Sequence, residues 1–313
     1  MSKQPTWLLE HRRNVFSQTG EDGVIDKILE ILPGCTGWCV EFGAWDGRYL
    51  SNVANLIVNK GYSAVLIEGD EKRYEALRVN YADTCRVIPM HAFVGMGATD
   101  NLDHLLLQTP IPADFDVLSI DIDGNDYHVW AAVRKFSPKV VCIEFNPTIP
   151  TEIVFIQAQD PRIKHGSSVA ALVDLAKDKG YELIAVLPFN AIFVKREFFH
   201  LFDILDNAAL RLRADTSYVT YIFSGYDGTV FIEGRKELPW HGFAFDSSQL
   251  QFLPKPLRCY PGDYGPWQGR LFNMYARWRA RARTRAPAIR ERKLEREEDV
   301  GFERARIGRG LAE

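Results

Sequence analysis

Between residues 37 and about 145, five short apolar runs alternate with helix-compatible segments, and each run ends in acids or glycines. The runs are "WCVEFGA", "SAVLIEGD", "RVIPMHAFVG", "FDVLSIDID" and "KVVCIEFNP". Valine, isoleucine, leucine and cysteine follow one another without polar alternation, as in strands of a parallel sheet covered on both faces. The segments between them, "LSNVANLIVNKG", "EKRYEALRVNY", "LDHLLL" and "DYHVWAAVRKF", carry helical signals, including a glycine stop at Gly61 and acids in a first turn. This alternation predicts an α/β fold, a doubly wound Rossmann-like sheet with helices on both faces. After an irregular stretch, "SSVAALVDLAKDKG" reads as a helix closed by Gly180, and "YELIAVLPFNAIFVKREFF" as two strands turning near Asn190. The sheet is therefore expected to finish in an antiparallel hairpin.

Around this core the sequence divides into four parts. Residues 1–36 read as a helical preface, 37–200 as the α/β domain, 201–268 as an accessory hairpin and loop region, and 269–313 as an arginine-rich tail. The preface contains "SQTGEDG", read as a helix cap through Ser17 or Thr19, with a ligand contact by Gln18 or Glu21 as the other reading. "YVTYIFSGYDGTVFIEG" reads as a hairpin with a Tyr-Asp-Gly turn. The tail reads as a solvated helix or a disordered extension, with binding to an acidic lipid surface or nucleic acid as the weaker alternative. A formal net charge of -3 gives no reason to expect nucleic acid as a partner. No apolar run approaches the roughly 20 residues of a membrane helix, and no targeting segment is apparent. The five cysteines are scattered and odd in number, and Cys39 and Cys142 lie inside apolar runs, so a reducing cytoplasm is expected.

In an open parallel sheet, ligands bind outside the carboxyl ends of the strands. Here those ends are Glu41 to Gly47, Glu68 to Asp70, His91 to Gly95, Asp121 to Asp126, and Glu144 to Asn146. Gly43 and Gly47 let backbone approach a ligand closely, but Trp45 stands where a dinucleotide loop has its second glycine, its ring either walling a small ligand pocket or packing under the N-terminal preface. Pyrophosphate favours a helix N-terminus free of acids, whereas Glu41, Asp46 and Glu68 surround this loop. Such carboxylates suit a cationic, hydroxyl-bearing ligand, and the sulfonium, ammonium and ribose of S-adenosylmethionine fit. Glu68 follows the loop by about 20 residues, where an acid takes ribose hydroxyls.

The segments "VEFGAWDG", "VLIEGDEKRYEALRVN", "LDHLL", "FDVLSIDIDGNDYHVW" and "VVCIEF" occur in an order that resembles the FkbM-type S-adenosylmethionine-dependent methyltransferases. The resemblance covers residues 37–145. It implies that Glu41, Gly43, Ala44, Trp45 and Gly47 line the methionine end of the cofactor, with Asp121 beside it. Glu68, Gly69 and Asp70 would take the ribose, and Ala92 and Phe93 would face adenine. Three positions depart from the family pattern: Asp123 for Glu, Ser119 for Lys, and Gly69 for Pro.

Alternation puts Asp121 and Asp123 together at one strand end and Glu144 with Asn146 at the next. These four oxygen-bearing side chains suit Mg²⁺ or Mn²⁺; a plain turn and helix cap, with Asp126 capping, is the alternative. Asp121, His241 in "PWHG" and His165 are the candidate bases. The insert 148–166 is expected to shape the acceptor pocket. Together these features predict O-methylation of a small molecule, sugar or glycan. The alternative is a binding or scaffold protein that keeps the fold without catalysis.

Overall fold

A computed structural model describes residues 4–281. The tail beyond residue 281 lies outside the described residues. The described residues form two compact units, which divide between residues 221 and 222.

The first unit is built on a seven-stranded sheet in the order β3-β2-β1-β4-β5-β7-β6. The strands are β1 (Trp38–Phe42), β2 (Ser63–Glu68), β3 (Val87–His91), β4 (Val117–Ile120), β5 (Val140–Glu144), β6 (Tyr181–Val186) and β7 (Asn190–Lys195). The first five pair in parallel, and β7 enters antiparallel beside β5. The order reverses beside β1, which makes the crevice between β1 and β4 the topological switch point. The expected doubly wound sheet with a terminal hairpin is present. Its strands are buried on both faces, as continuous apolar runs require: Val40, Phe42, Ile67 and Ile120 on one face, and Cys39, Ala64, Leu66 and Val117 on the other, have no accessible surface.

Helices α1 (Glu21–Ile31), α2 (Ala54–Lys60), α3 (Glu71–Asn80), α4 (Leu102–Leu106), α5 (Asp126–Ala132) and α6 (Val169–Asp178) flank the sheet. In the preface, α1 buries Val24, Ile25 and Ile28 in the main core. Its cap is Gly20, in left-handed geometry, rather than Ser17 or Thr19. The loop before it is instead gathered by Asp22, whose Oδ2 accepts from the N–H groups of Val15, Phe16 and Ser17. Helix α2 starts only at Ala54, because the preceding residues serve the strand end. Asp46 Oδ1 accepts from the N–H groups of Arg48 and Tyr49, and Ser51 Oγ accepts from that of Ala54.

At the amino ends of the central strands, Asp116 and Lys139 form a buried ion pair at 2.7 Å. The Asp116 carboxylate also accepts from the N–H groups of Thr36 and Gly37, and Lys139 donates to the Gly34 carbonyl.

The second unit is a small β structure. It holds most of the hairpin of β8 (Thr220–Ser224) and β9 (Val230–Gly234), which turns at Asp227 and Gly228. The Gln251 side chain both donates to and accepts from the Val230 backbone, standing in for a strand at that edge. Residues 266–281 are helical.

Candidate active site

The carboxyl ends of β1, β2, β4 and β5 form one polar rim. Glu41, Ser119 and Cys142 stand in register across three strands. The two-residue period then puts Asp121 and Glu144 on the same face one step further along. Glu144 lies opposite Asn190 of β7. Glu41 is buried and held by Ser51 Oγ and the Asn52 N–H, while the Asn52 amide reaches Ser119 Oγ at 3.1 Å. Burial raises the Glu41 pKa from 4.5 to about 7, against the pull of those two donors.

The loop after β1 is shaped by its glycines. A Cβ on Gly43 would stand 1.9 Å from the Asp121 carbonyl oxygen, so only glycine lets this loop lie against the end of β4. A Cβ on Gly47 would strike Leu77 and Tyr81 of the α3 region. Between them Ala44 is buried and donates to the Ile67 carbonyl. Trp45 adopts a left-handed backbone (φ 51°), and its N–H donates to Glu68 Oε2 at 2.8 Å. Glu68 Oε1 accepts from the Asp70 N–H, so one buried carboxylate ties the glycine loop to the end of β2. Asp70 itself caps α3. The Trp45 ring is stacked under the Arg73 guanidinium, 3.4 Å from its centroid, with Tyr49 alongside. Phe93 is exposed and its ring covers Gly69, while Ala92 continues the β3 ladder by donating to the Glu68 carbonyl.

The "DIDGND" turn is organised by Asp126. Its two oxygens accept from the N–H groups of Ile122 and Gly124, and it is buried. This leaves Asp121, Asp123 and Glu144 free to converge. One carboxylate oxygen from each lies within 4.8 Å of the others. Burial, and then the neighbouring carboxylates, push Asp121 and Glu144 well above the usual carboxylate range. Among the described residues the cation that pairs with this group is Lys164, 3.6 Å from Asp123 across an exposed gap. Asn146 has its side-chain bonds taken up by the insert. Its amide donates to the His165 carbonyl, and its carbonyl accepts from Thr148.

The insert after β5 is pinned at both ends. Arg213 is buried, and it donates to the carbonyls of Pro147, Ile149 and Asp215 and to Thr151 Oγ1. The buried Gln157 amide accepts from the N–H groups of His165 and Gly166 and donates to the Ile163 carbonyl. The resulting cavity of about 440 Å³ is lined by Asn146, Ile149, Ile153, Phe155, Lys164 and His165. His165 is thus beside the rim, and its backbone is fixed. His241 is exposed in the second unit.

Two polar partners at this site carry no strong sequence signal. Asn190 opens an apolar strand, and its amide donates to the buried Glu21 of α1 at 3.1 Å. Glu21 also accepts from the Thr19 N–H, so the "SQTGED" segment meets the sheet beside Glu144. A polar residue at the first position of an all-apolar strand was the available sign.

No protein-family profile matches the sequence, and no curated protein matches it either. Solved structures do. The N-terminal domain of EvdMO1 with SAH bound is 13% identical, with a TM-score of 0.40 over 57% of this chain and 82% of its own. The CcbJ methyltransferase from Streptomyces caelestis is 13% identical, with a TM-score of 0.37 over 62% of this chain and 97% of its own. An S-adenosylmethionine-dependent methyltransferase from Aquifex aeolicus is 12% identical, with a TM-score of 0.35 over 61% and 97%. The strand order, rather than these likenesses, establishes the fold. The resemblance to FkbM-type enzymes rests on the sequence motifs.

Proposed function

We propose that this chain is an S-adenosylmethionine-dependent methyltransferase of the FkbM type that methylates a hydroxyl on a small molecule, sugar or glycan. One observation carries the reading. The glycine loop, Glu68 and the three converging carboxylates occupy adjacent strand ends at the switch point, with the insert cavity beside them. The residues present fit the cofactor. Gly43 and Gly47 leave backbone bare, Glu68 is already oriented by two N–H groups with lone pairs left for ribose, and the rim's excess of carboxylates suits a sulfonium and an ammonium.

When bound, the cofactor supplies an electrophilic methyl group. The chain's part is to hold an acceptor oxygen in line with it, which supplies most of the rate advantage. The insert cavity would seat the acceptor body, and an Asp121 carboxylate oxygen would take the hydroxyl proton. His165 is the competing base at the same cavity. His241 belongs to the second unit and is a base only in an arrangement that brings it to the rim.

A second reading adds a divalent ion. Asp121, Asp123 and Glu144 each present one oxygen within 4.8 Å of the others, a spacing that Mg²⁺ or Mn²⁺ would draw closer together. Such an ion would acidify the acceptor hydroxyl and offset repulsion among the acids. Activity would then vanish in chelator and return with either ion, whereas full activity in chelator leaves Asp121 as the base. The test of the main reading is calorimetry with S-adenosylmethionine and its demethylated product. Binding of both is expected, and heat-silent titrations at protein concentrations that detect micromolar binding would defeat it.

A further inference from the structure

The helix at residues 266–281 has three stripes that divide its surface by role. Gln268, Phe272, Tyr275 and Arg279, spaced i, i+4, i+7 and i+11, dock it onto its own unit. Gln268 donates to the Pro256 carbonyl, the Phe272 ring lies 5.5 Å from that of Tyr264, Tyr275 donates to the Phe252 carbonyl, and Arg279 sits over the Phe252 ring. One residue earlier at each step is a second stripe: Trp267, Leu271, Met274 and Trp278. Leu271 is half-buried, but Trp267 is 59% exposed, Met274 64% and Trp278 59%. Along the far side of that stripe run Arg270, Arg277 and Arg281, and residues 264–281 contain no aspartate or glutamate.

A docked helix has its apolar needs met on the docked side. A second apolar stripe facing outward, rimmed by arginine alone, marks an interaction surface. We propose that this helix binds the surface of an anionic lipid bilayer. It would lie in the plane of the interface, with the Trp267–Leu271–Met274–Trp278 stripe among the acyl chains and the arginines on lipid phosphates. Amphipathic interfacial helices combine these same elements: tryptophan and aliphatic residues on one face, arginine on its edge. Tryptophan suits the boundary because its ring is apolar and its N–H stays wet.

Two other occupants fit less well. Antiparallel pairing with a second copy would set like arginine edges against each other. Single-stranded nucleic acid would use the aromatic rings for stacking, but it has no use for the aliphatic Leu271 and Met274 between them.

The full chain is sedimented with vesicles of phosphatidylcholine, and with vesicles of phosphatidylcholine and phosphatidylglycerol in equal parts. Binding to the anionic vesicles should be roughly tenfold tighter or more, and should weaken with salt. Trp267→Ala/Trp278→Ala and Arg270→Glu/Arg277→Glu should each remove most of it, whereas Arg270→Lys/Arg277→Lys should keep it. The substituted side chains are exposed, so melting temperatures should match the parent. That comparison, with the lysine variant, separates loss of binding from loss of folding. Equal binding to both vesicle types, or binding indifferent to the glutamate variant, would overturn the proposal. So would a concentration-dependent dimer abolished by the tryptophan variant, or a preference for single-stranded RNA over vesicles.

Discussion

The two ends of β4 and β5 carry ionisable groups of opposite design. At the amino ends, Asp116 and Lys139 face each other at 2.7 Å, and three backbone groups take up most of their remaining capacity. At the carboxyl ends, Asp121 and Glu144 converge with a third acid and no buried cation joins them among the described residues. The first pair is fully withdrawn from water, whereas at the second end Asp121 and Glu144 are half-buried and Asp123 is exposed, so desolvation weighs on both ends but more on the first. Only the first is compensated by a buried counter-charge; at the second, Lys164 reaches Asp123 at 3.6 Å in an exposed pair. On the function proposed above, a charge from outside the fold would complete the second end, and the same strands would then separate a structural end from a ligand-binding end.

That contrast can be broken most severely at the structural end. Lys139→Met leaves Asp116 buried and unpaired, and should cost about 3–5 kcal/mol in denaturant unfolding. Cofactor affinity of the folded fraction should stay unchanged. A loss below about 1 kcal/mol would mean that the pair is no more than a surface-strength bridge.

Glu41 sharpens the comparison through pH. Its folded pKa is raised from 4.5 to about 7, so folding favours its protonated form. The stability this contributes is fully present below 4.5 and is lost as pH rises through about 7. A shift of that size corresponds to about 3 kcal/mol. In Glu41→Gln that slope should disappear, read as the difference in unfolding free energy between parent and variant across the window. Parallel profiles for the two proteins would place the ionised form in the folded state.

At the carboxyl ends, Asp121→Asn removes charge where charges already crowd. Its stability should match or exceed the parent's, while methyl transfer falls by roughly a hundredfold or more, the range for losing a general base. Destabilisation as large as that of Lys139→Met would erase the distinction between the two ends. The smallest effect is expected at Trp45. Its ring is stacked with Arg73, so Trp45→Ala should lower stability by about 0.5–2 kcal/mol, the range of a cation–π contact. A fall in cofactor affinity with melting unchanged would assign the ring to the ligand instead.

The parallel strands and the closing hairpin were legible because their signal is local: apolar runs, glycine stops and a turn near Asn190. Glu144 and Asp121 were legible for the same reason, since alternation holds to the ends of their strands, whereas Asp123 joins them through a left-handed turn beyond β4. What stayed hidden depends on distant partners. Nothing near Gln157 or Arg213 in sequence says that their side chains will hold the insert by backbone groups. The α1 cap moved to Gly20 because Asp22 draws the preceding loop around its carboxylate, a contact that no capping pattern encodes. Asn146 shares its strand's alternation with Glu144, but lies past the strand's end, where the insert claims its amide. Alternation stops being a guide where the ladder stops.

The seat of the Asp121 carbonyl against bare Gly43 has a mechanical consequence. The loop after β1 and the turn after β4 touch main chain to main chain, with no side chain between them to flex. A displacement of one is passed to the other almost undiminished, as between meshed gear teeth rather than through a spring. If a ligand settles into the glycine loop, as proposed above, it would also set the height of the Asp121 turn, and its arrival would tell the acid rim where to stand for the next.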